Sequence, residues 1–173
     1  MILATLLLIA FALLVLFGYA KAYHSLATMH VQSRSAWGQI ESLLDRRHEL
    51  IPDLVDRVRH HIDGEHETVR SVVEARSAAL GASSVAERAS AEKEVSAKLC
   101  GLYSLAEQHP HLGTDEAVHG IRKEILKAEE KVAFATQYYN DVASAYNARL
   151  RRLPTAIVGK LGSLRPHELF VVE

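Results

Sequence analysis

The sequence predicts an all-α protein, a long antiparallel helical bundle that carries an N-terminal transmembrane helix. Helix-forming residues are abundant, with only 4 prolines and 9 glycines in 173 residues. The first twenty residues include no charged side chain. Further along, apolar residues recur in steps of three and four, which places them on one helix face. We expect an anchor over residues 1–22, a four-helix bundle over 23–153, and a tail over 154–173 that packs on the bundle.

The composition argues against several classes of function. Twenty Lys and Arg balance 21 Asp and Glu, for a formal charge of −1, and aromatic residues make up 6% of the chain. Neither a basic surface nor a base-stacking surface is indicated, so we expect no nucleic-acid partner. Cys100 is the only cysteine, which excludes an internal disulfide and a cysteine-based zinc site. Without a glycine-rich phosphate loop or a G-x-S-x-G motif, we predict no catalytic, cofactor or metal residues.

The N-terminal segment "MILATLLLIAFALLVLFGYA" is the candidate membrane span. Twenty helical residues cover roughly 30 Å, the thickness of a bilayer core. A cleaved signal peptide is the alternative, because residues 20–22 (Ala-Lys-Ala) resemble a cleavage site. However, no basic residue precedes the apolar run, and the run is longer than a usual signal core. We therefore expect an uncleaved anchor in the lipid bilayer, and Lys21 and Arg34 after it favour a cytoplasmic location for the rest.

The first helix is predicted to continue out of the membrane as far as a charged corner. Trp37, Ile40 and Leu44 share one helix face. After the charged run 45–49 comes Pro52, which has no backbone donor and favours an extended residue before it. We predict that Pro52 ends the first helix and starts the second.

The second helix is predicted from about Pro52 to Leu80. The third begins with a capping box, in which Ser84 and Glu87 satisfy two backbone donors. Proline in the stretch 108–114, "QHPHLGT", closes the third helix.

The fourth helix shows the strongest periodicity in the chain. Its apolar seam is Ile121, Ile125, Ala128, Val132, Ala135, Tyr139, Val142, Tyr146, Arg149 and Leu153. Steps of three and four over five heptads are typical of a left-handed bundle. We predict Thr114 as the N-cap and Pro154 as the residue that ends this helix. The tail beyond it is expected to fold back, although Ile157 and Leu161 would instead suit a partner or lipid surface.

Two Tyr-Asn pairs recur seven residues apart near the end of the fourth helix: Tyr139-Asn140 and Tyr146-Asn147. Buried amides and phenols need hydrogen-bond partners. We expect Arg46, Arg47 and Glu49 at the corner to supply them, so that these groups set helix register. The alternative is a polar groove that receives a peptide or a partner helix.

One histidine cluster suggests a metal site. His61 and Glu65 lie four residues apart on one predicted helix face, beside His66, and could hold one ion. A solvated rim of polar side chains is the preferred interpretation. The alternative function is therefore a metal-binding or catalytic membrane protein that uses the His61/Glu65 cluster.

Three segments resemble the LemA family: "AWGQIESLLDRRHELIPDLVDRV", "HETVRSVVEARSAA" and "QYYNDVASAYNARLRRLP". The residues that carry the resemblance are Trp37, Arg46, Arg47, Pro52, Tyr139, Asn140, Tyr146, Asn147 and Pro154. The resemblance implies a bacterial, single-pass membrane protein with a helical-bundle domain, and it does not imply an enzyme, so we expect a non-enzymatic protein of the inner membrane. Relatives in magnetotactic bacteria are magnetosome-membrane proteins, which suggests membrane assembly as a further possibility. We expect a scaffold or adaptor with unidentified protein partners.

Overall fold

The computed structural model describes residues 2–62 and 67–171, and over these residues every regular element is a helix. The helices are α1 (Ile2–His61), α2 (Glu67–Leu80), α3 (Val85–Gln108), α4 (Pro110–Gly113), α5 (Glu116–Leu150) and α6 (Thr155–Leu161). This confirms the predicted all-α bundle. The antiparallel order of α1 and α5 follows from their buried residues, since Leu26 shares a cluster with Tyr146 and Val58 with Val118.

The N-terminal third of α1 stands apart from the bundle. Residues 2–20 are apolar and exposed, and they form a stretch long and apolar enough to cross a membrane. The same helix then continues into the core, where its first fully buried side chain is Leu26. One unbroken helix therefore joins the candidate membrane span to the bundle.

The predicted corner at Pro52 is wrong, because α1 runs through this proline to His61. A proline inside a helix leaves the carbonyl four residues earlier without its usual donor. Here that carbonyl belongs to His48, and Arg76 of α2 donates its Nε–H to it at 2.9 Å. A side chain from a neighbouring helix thus replaces the missing backbone bond. The second helix of the bundle starts at Glu67 instead of Pro52.

We expect Arg76→Met to destabilise the protein by about 1–3 kcal/mol, because it leaves the His48 carbonyl unsatisfied. In a Pro52→Ala background the backbone donor returns, and the same substitution should cost about 0.5 kcal/mol or less. Chemical denaturation of the full-length protein in micelles, followed by circular dichroism, measures both values. Equal costs in the two backgrounds would show that the bond to His48 does not matter.

The N-terminus of α3 is capped by Ser84, as predicted, and its Oγ accepts the N–H of Glu87 at 3.1 Å. The second hydrogen bond of the capping box has a different donor from the predicted one. The Glu87 carboxylate accepts the backbone N–H of Ser83 at 2.9 Å, one residue before the expected donor.

The predicted ends of the last long helix are both corrected. Asp115, not Thr114, is the N-cap of α5 and accepts the N–H of Ala117 at 2.7 Å. The Thr114 hydroxyl donates to the carbonyl of Pro110 at 3.0 Å. At the other end α5 stops at Leu150, and Pro154 is the N-cap of α6 rather than the residue at which the long helix ends.

Three clusters of buried side chains are stacked along the bundle. The cluster farthest from the apolar segment joins α1, α2, α3, α4 and α5. The middle cluster includes Ile40, Tyr139 and Phe170, and the nearest includes Leu26 and Val158. Residues 165–171, which we call the strap, follow α6 without helical structure and bring Phe170 into the middle cluster. The structure therefore places the tail against α1 and α5.

Candidate functional site

A charged cluster lies where α1, α3 and α5 meet, with Arg47, His48 and Glu92 buried and its other members half-buried. Its members are Arg47, His48, Arg88, Glu92, Ser96 and Glu129. Glu92 is at the centre and exposes only 2% of its surface. One of its oxygens lies 2.8 Å from His48 Nε2 and accepts the Arg88 Nε–H at 2.6 Å, and the other is paired with Arg47.

The surroundings of Glu92 keep its carboxylate ionised. Burial opposes ionisation and is the largest single influence on its pKa. The hydrogen bond with His48 and the charges of Arg47 and Arg88 together outweigh burial, so the pKa lies below its usual value. Arg47 also donates to Glu129 at 3.0 Å and to Ser96 at 2.9 Å, which ties α5 to the same centre. Such a paired network can fix which helices meet at this level of the bundle.

The structure separates the two arginines that we expected to act together. Arg46 lies on the surface and pairs with Glu49 at 3.0 Å, whereas Arg47 is buried in the charged cluster. Neither bonds to a Tyr-Asn pair, so the predicted partnership is wrong. The reason is that α1 does not turn at Pro52, and the partners of the pairs come from the strap instead.

Both asparagines of the Tyr-Asn pairs hold the strap by its main chain. Asn140 donates to the carbonyl of Phe170 and accepts its N–H, both at 2.9 Å. Asn147 does the same with His167, at 2.8 Å and 2.9 Å. The Tyr139 hydroxyl adds a bond to the carbonyl of Glu168 at 2.5 Å.

Aromatic rings surround the two clamped residues of the strap. The ring centroid of Trp37 lies 5.5 Å from that of Phe170 and 5.5 Å from that of Tyr139. Tyr146 is fully buried, and its ring centroid lies 4.9 Å from that of His167. Its hydroxyl has no hydrogen-bond partner within the described part of the chain. The aromatic members of the family motif therefore contact the strap.

A pair of stacked histidine side chains joins the strap to α1. His167 Nε2 lies 3.0 Å from His30 Nδ1, and the two imidazole rings stack with centroids 4.8 Å apart. Burial lowers the pKa of His167 below its usual value, and the nearby His30 and Arg34 lower it further. Protonation of His167 is therefore disfavoured while the strap is docked.

We expect strap docking to weaken as the pH falls below about 6.5, the ordinary pKa of histidine. A histidine whose pKa is lowered in the folded state takes up its proton more readily when undocked, so acid favours release. Emission from Trp37, the only tryptophan, reports the loss of the Phe170 contact. His167→Leu removes the titrating group and should flatten the profile between pH 7.5 and 5.5. An unchanged profile in this variant would assign the pH response to another group.

The histidine cluster of the alternative, metal-binding interpretation lies partly outside the described residues, which do not include Glu65 and His66. His61 is described, and its Nδ1 lies 2.9 Å from the carbonyl of Arg57. Within residues 2–62 and 67–171, no group of three or more His, Cys, Asp or Glu side chains is placed to hold a metal ion. Cys100 is exposed.

The model of the LemA family matches residues 36–173, which is more than half of the chain. The chain belongs to the LemA family. The matched region of this LemA protein contains the charged cluster, both asparagine clamps and the strap. No curated protein matches the chain.

Sequence reasoning missed several residues of this LemA family protein that the structure brings together. Glu92 lies three residues before the buried Val95 on α3, so a carboxylate occupies a core position on the same helix face. A charged residue at a core position requires a buried partner, so Glu92 could have been recognised from the sequence as a candidate site residue. The partners of Asn140 and Asn147 carried no comparable signal, since the strap contributes its backbone and not a side-chain motif.

Proposed function

We propose that this protein is a membrane-anchored, non-enzymatic scaffold or adaptor that presents a rigid helical head to protein partners. The observation that carries the proposal is the continuity of α1 from the apolar segment to His61. Sixty helical residues measure about 90 Å. With roughly 30 Å of helix in the bilayer, the remaining stretch of about 60 Å of α1 would run through the head itself, where side chains from Leu26 onward are buried, and would fix how the head is held at the membrane surface.

The inner membrane of a bacterium is the proposed location, with the head on the cytoplasmic side. Lys21 and Arg34 follow the apolar segment, and positive charge beside a span favours the cytoplasm. Anchoring confines the head to two dimensions, which raises its effective concentration near other membrane proteins.

An aromatic pair on α5 is the surface we propose for partner binding. Phe134 is 71% exposed and Tyr138, one turn later, is 53% exposed. Tyr and Phe are enriched at the cores of protein–protein interfaces, and Tyr is also enriched among the residues that dominate binding energy. This face differs from the one that holds the strap, whose main chain is bonded by Tyr139 and Asn140.

Photo-crosslinking in intact cells tests the proposal, with a crosslinking amino acid at Phe134 and, as a control, at the exposed Glu74 of α2. We expect discrete protein adducts from position 134 that disappear with Tyr138→Ser and that position 74 does not give. Adducts identical at both positions would contradict the proposed face. Stoichiometric metal in the purified protein, lost with His61→Ala, would instead favour a metal-dependent activity.

A further inference from the structure

The spacing of the two asparagine clamps matches an extended peptide. Seven residues of helix between Asn140 and Asn147 rise about 10.5 Å. The clamped strap residues, His167 and Phe170, are three apart, and three residues reach about 10 Å only when the chain is extended. Each side-chain amide thus pairs with one strap residue as a neighbouring strand would.

We call the surface that holds the strap the groove; it consists of Trp37, Tyr139, Asn140, Tyr146 and Asn147. The groove binds its occupant mainly through the occupant's backbone. Five hydrogen bonds join the two asparagines and Tyr139 to the strap, and all five involve main-chain atoms of the strap, as donor in two and as acceptor in three. Side-chain selection comes from the buried site of Phe170 beside Trp37 and from the stacking site of His167. Backbone bonds supply affinity and side-chain pockets supply specificity in known modes of extended-peptide recognition. A second chain makes the same contacts if it offers an aromatic residue at the Phe170 site and, three residues earlier, an imidazole at the His167 site.

We propose that the groove is a binding site for an extended peptide, and that its occupant in trans is the strap of a second copy of this protein. Every copy carries both the groove and the matching segment, so a reciprocal exchange closes a two-fold dimer. The connection between α6 and the strap favours exchange, because Ser163 adopts a positive φ of 52° there. Non-glycine residues pay a conformational cost in this region, and strained hinges promote segment swapping.

The strap-exchange proposal rests on the membrane anchoring proposed above in one respect, since anchoring raises the local concentration of copies. The existence of the groove does not depend on anchoring. Copies anchored in one bilayer share an orientation and are confined to a plane, which favours exchange over free diffusion in solution. The two proposals involve different residues, the Phe134 face for the adaptor role and the asparagine clamps for strap exchange. Their failures are therefore distinguishable.

Photo-crosslinking between two tagged copies in liposomes tests the exchange. The donor copy carries the crosslinking amino acid at Leu169, a strap residue that is 40% exposed, and the acceptor copy carries none. We expect covalent donor–acceptor dimers. The acceptor in this comparison also carries Phe170→Ser, so that its own strap does not compete for the groove. In that acceptor, Asn140→Leu with Asn147→Leu should reduce the dimers about tenfold or more, as expected from losing about 1.4 kcal/mol or more of binding. Gln137→Leu with Ser144→Leu, exposed positions with the same spacing, is the matched control.

A peptide competition guards against misfolding of the clamp variant. A synthetic peptide with the sequence of residues 165–171 should suppress the dimers formed by unaltered acceptor, and the same peptide with Phe170→Ser should not. Dimers that persist unchanged in the clamp variant, or their absence at every protein-to-lipid ratio, would overturn the proposal. Peptide binding without dimers would likewise overturn the second copy as occupant and leave the strap of the same copy in that place.

Discussion

Replacing Glu92 by Gln is expected to destabilise the bundle by roughly 3–5 kcal/mol, the usual cost of breaking a buried ion pair from one side. The amide matches the carboxylate in shape, so the cost comes from charge rather than from a cavity. Arg47 and Arg88 would each keep a positive charge that Glu92 now compensates. Because Arg47 is almost completely buried, water cannot solvate its charge in place of Glu92.

Chemical denaturation of the full-length protein in micelles, followed by circular dichroism, measures this effect. Glu94→Gln is the control, because Glu94 pairs with Lys98 on the exposed face of the same helix and such pairs contribute little. A cost below about 1 kcal/mol for Glu92→Gln would show that the charged cluster is not held as the structure places it.

The fold class was predictable because it depends on periodicity, which single residues rarely overrule. The predicted seam of α5 includes the buried residues Ile125, Ala128, Tyr139 and Tyr146. The prediction is wrong only at the end of the seam, where Arg149 and Leu153 are exposed. The error at Pro52 has a different cause. Proline disfavours a helix locally, but Arg76 donates the missing hydrogen bond to the carbonyl of His48, and these two residues are twenty-eight apart in sequence. No local pattern contains that contact, so the position of the turn could not be read from the segment alone.

Residues of the candidate site could be predicted from the sequence only where a polar side chain occupies a helix position that is expected to be buried. The recurrence of Tyr139-Asn140 and Tyr146-Asn147 predicted a polar feature on one face of α5, and the structure places both asparagines there. Their partners are backbone groups of the strap, which leave no signature in the sequence. A backbone ligand can be found only once the three-dimensional path of the chain is known.

Tyr139→Ala is expected to destabilise the protein by about 3–5 kcal/mol, as truncation of a buried aromatic side chain usually does. Tyr139 is only 2% exposed and packs between the middle core cluster and the ring of Trp37. The same residue also bonds the strap through its hydroxyl, so the alanine variant loses packing and docking together. Denaturation followed by circular dichroism gives the total cost.

Tyr139→Phe separates the two contributions, because it keeps the ring and removes only the bond to the carbonyl of Glu168. We expect a cost of about 1 kcal/mol for this variant. Tyr138→Ala, at the exposed neighbouring position, should cost about 0.5 kcal/mol or less and controls for helix propensity. If the phenylalanine variant were as unstable as the alanine variant, the hydroxyl bond would dominate, and strap docking rather than core packing would stabilise this level of the bundle.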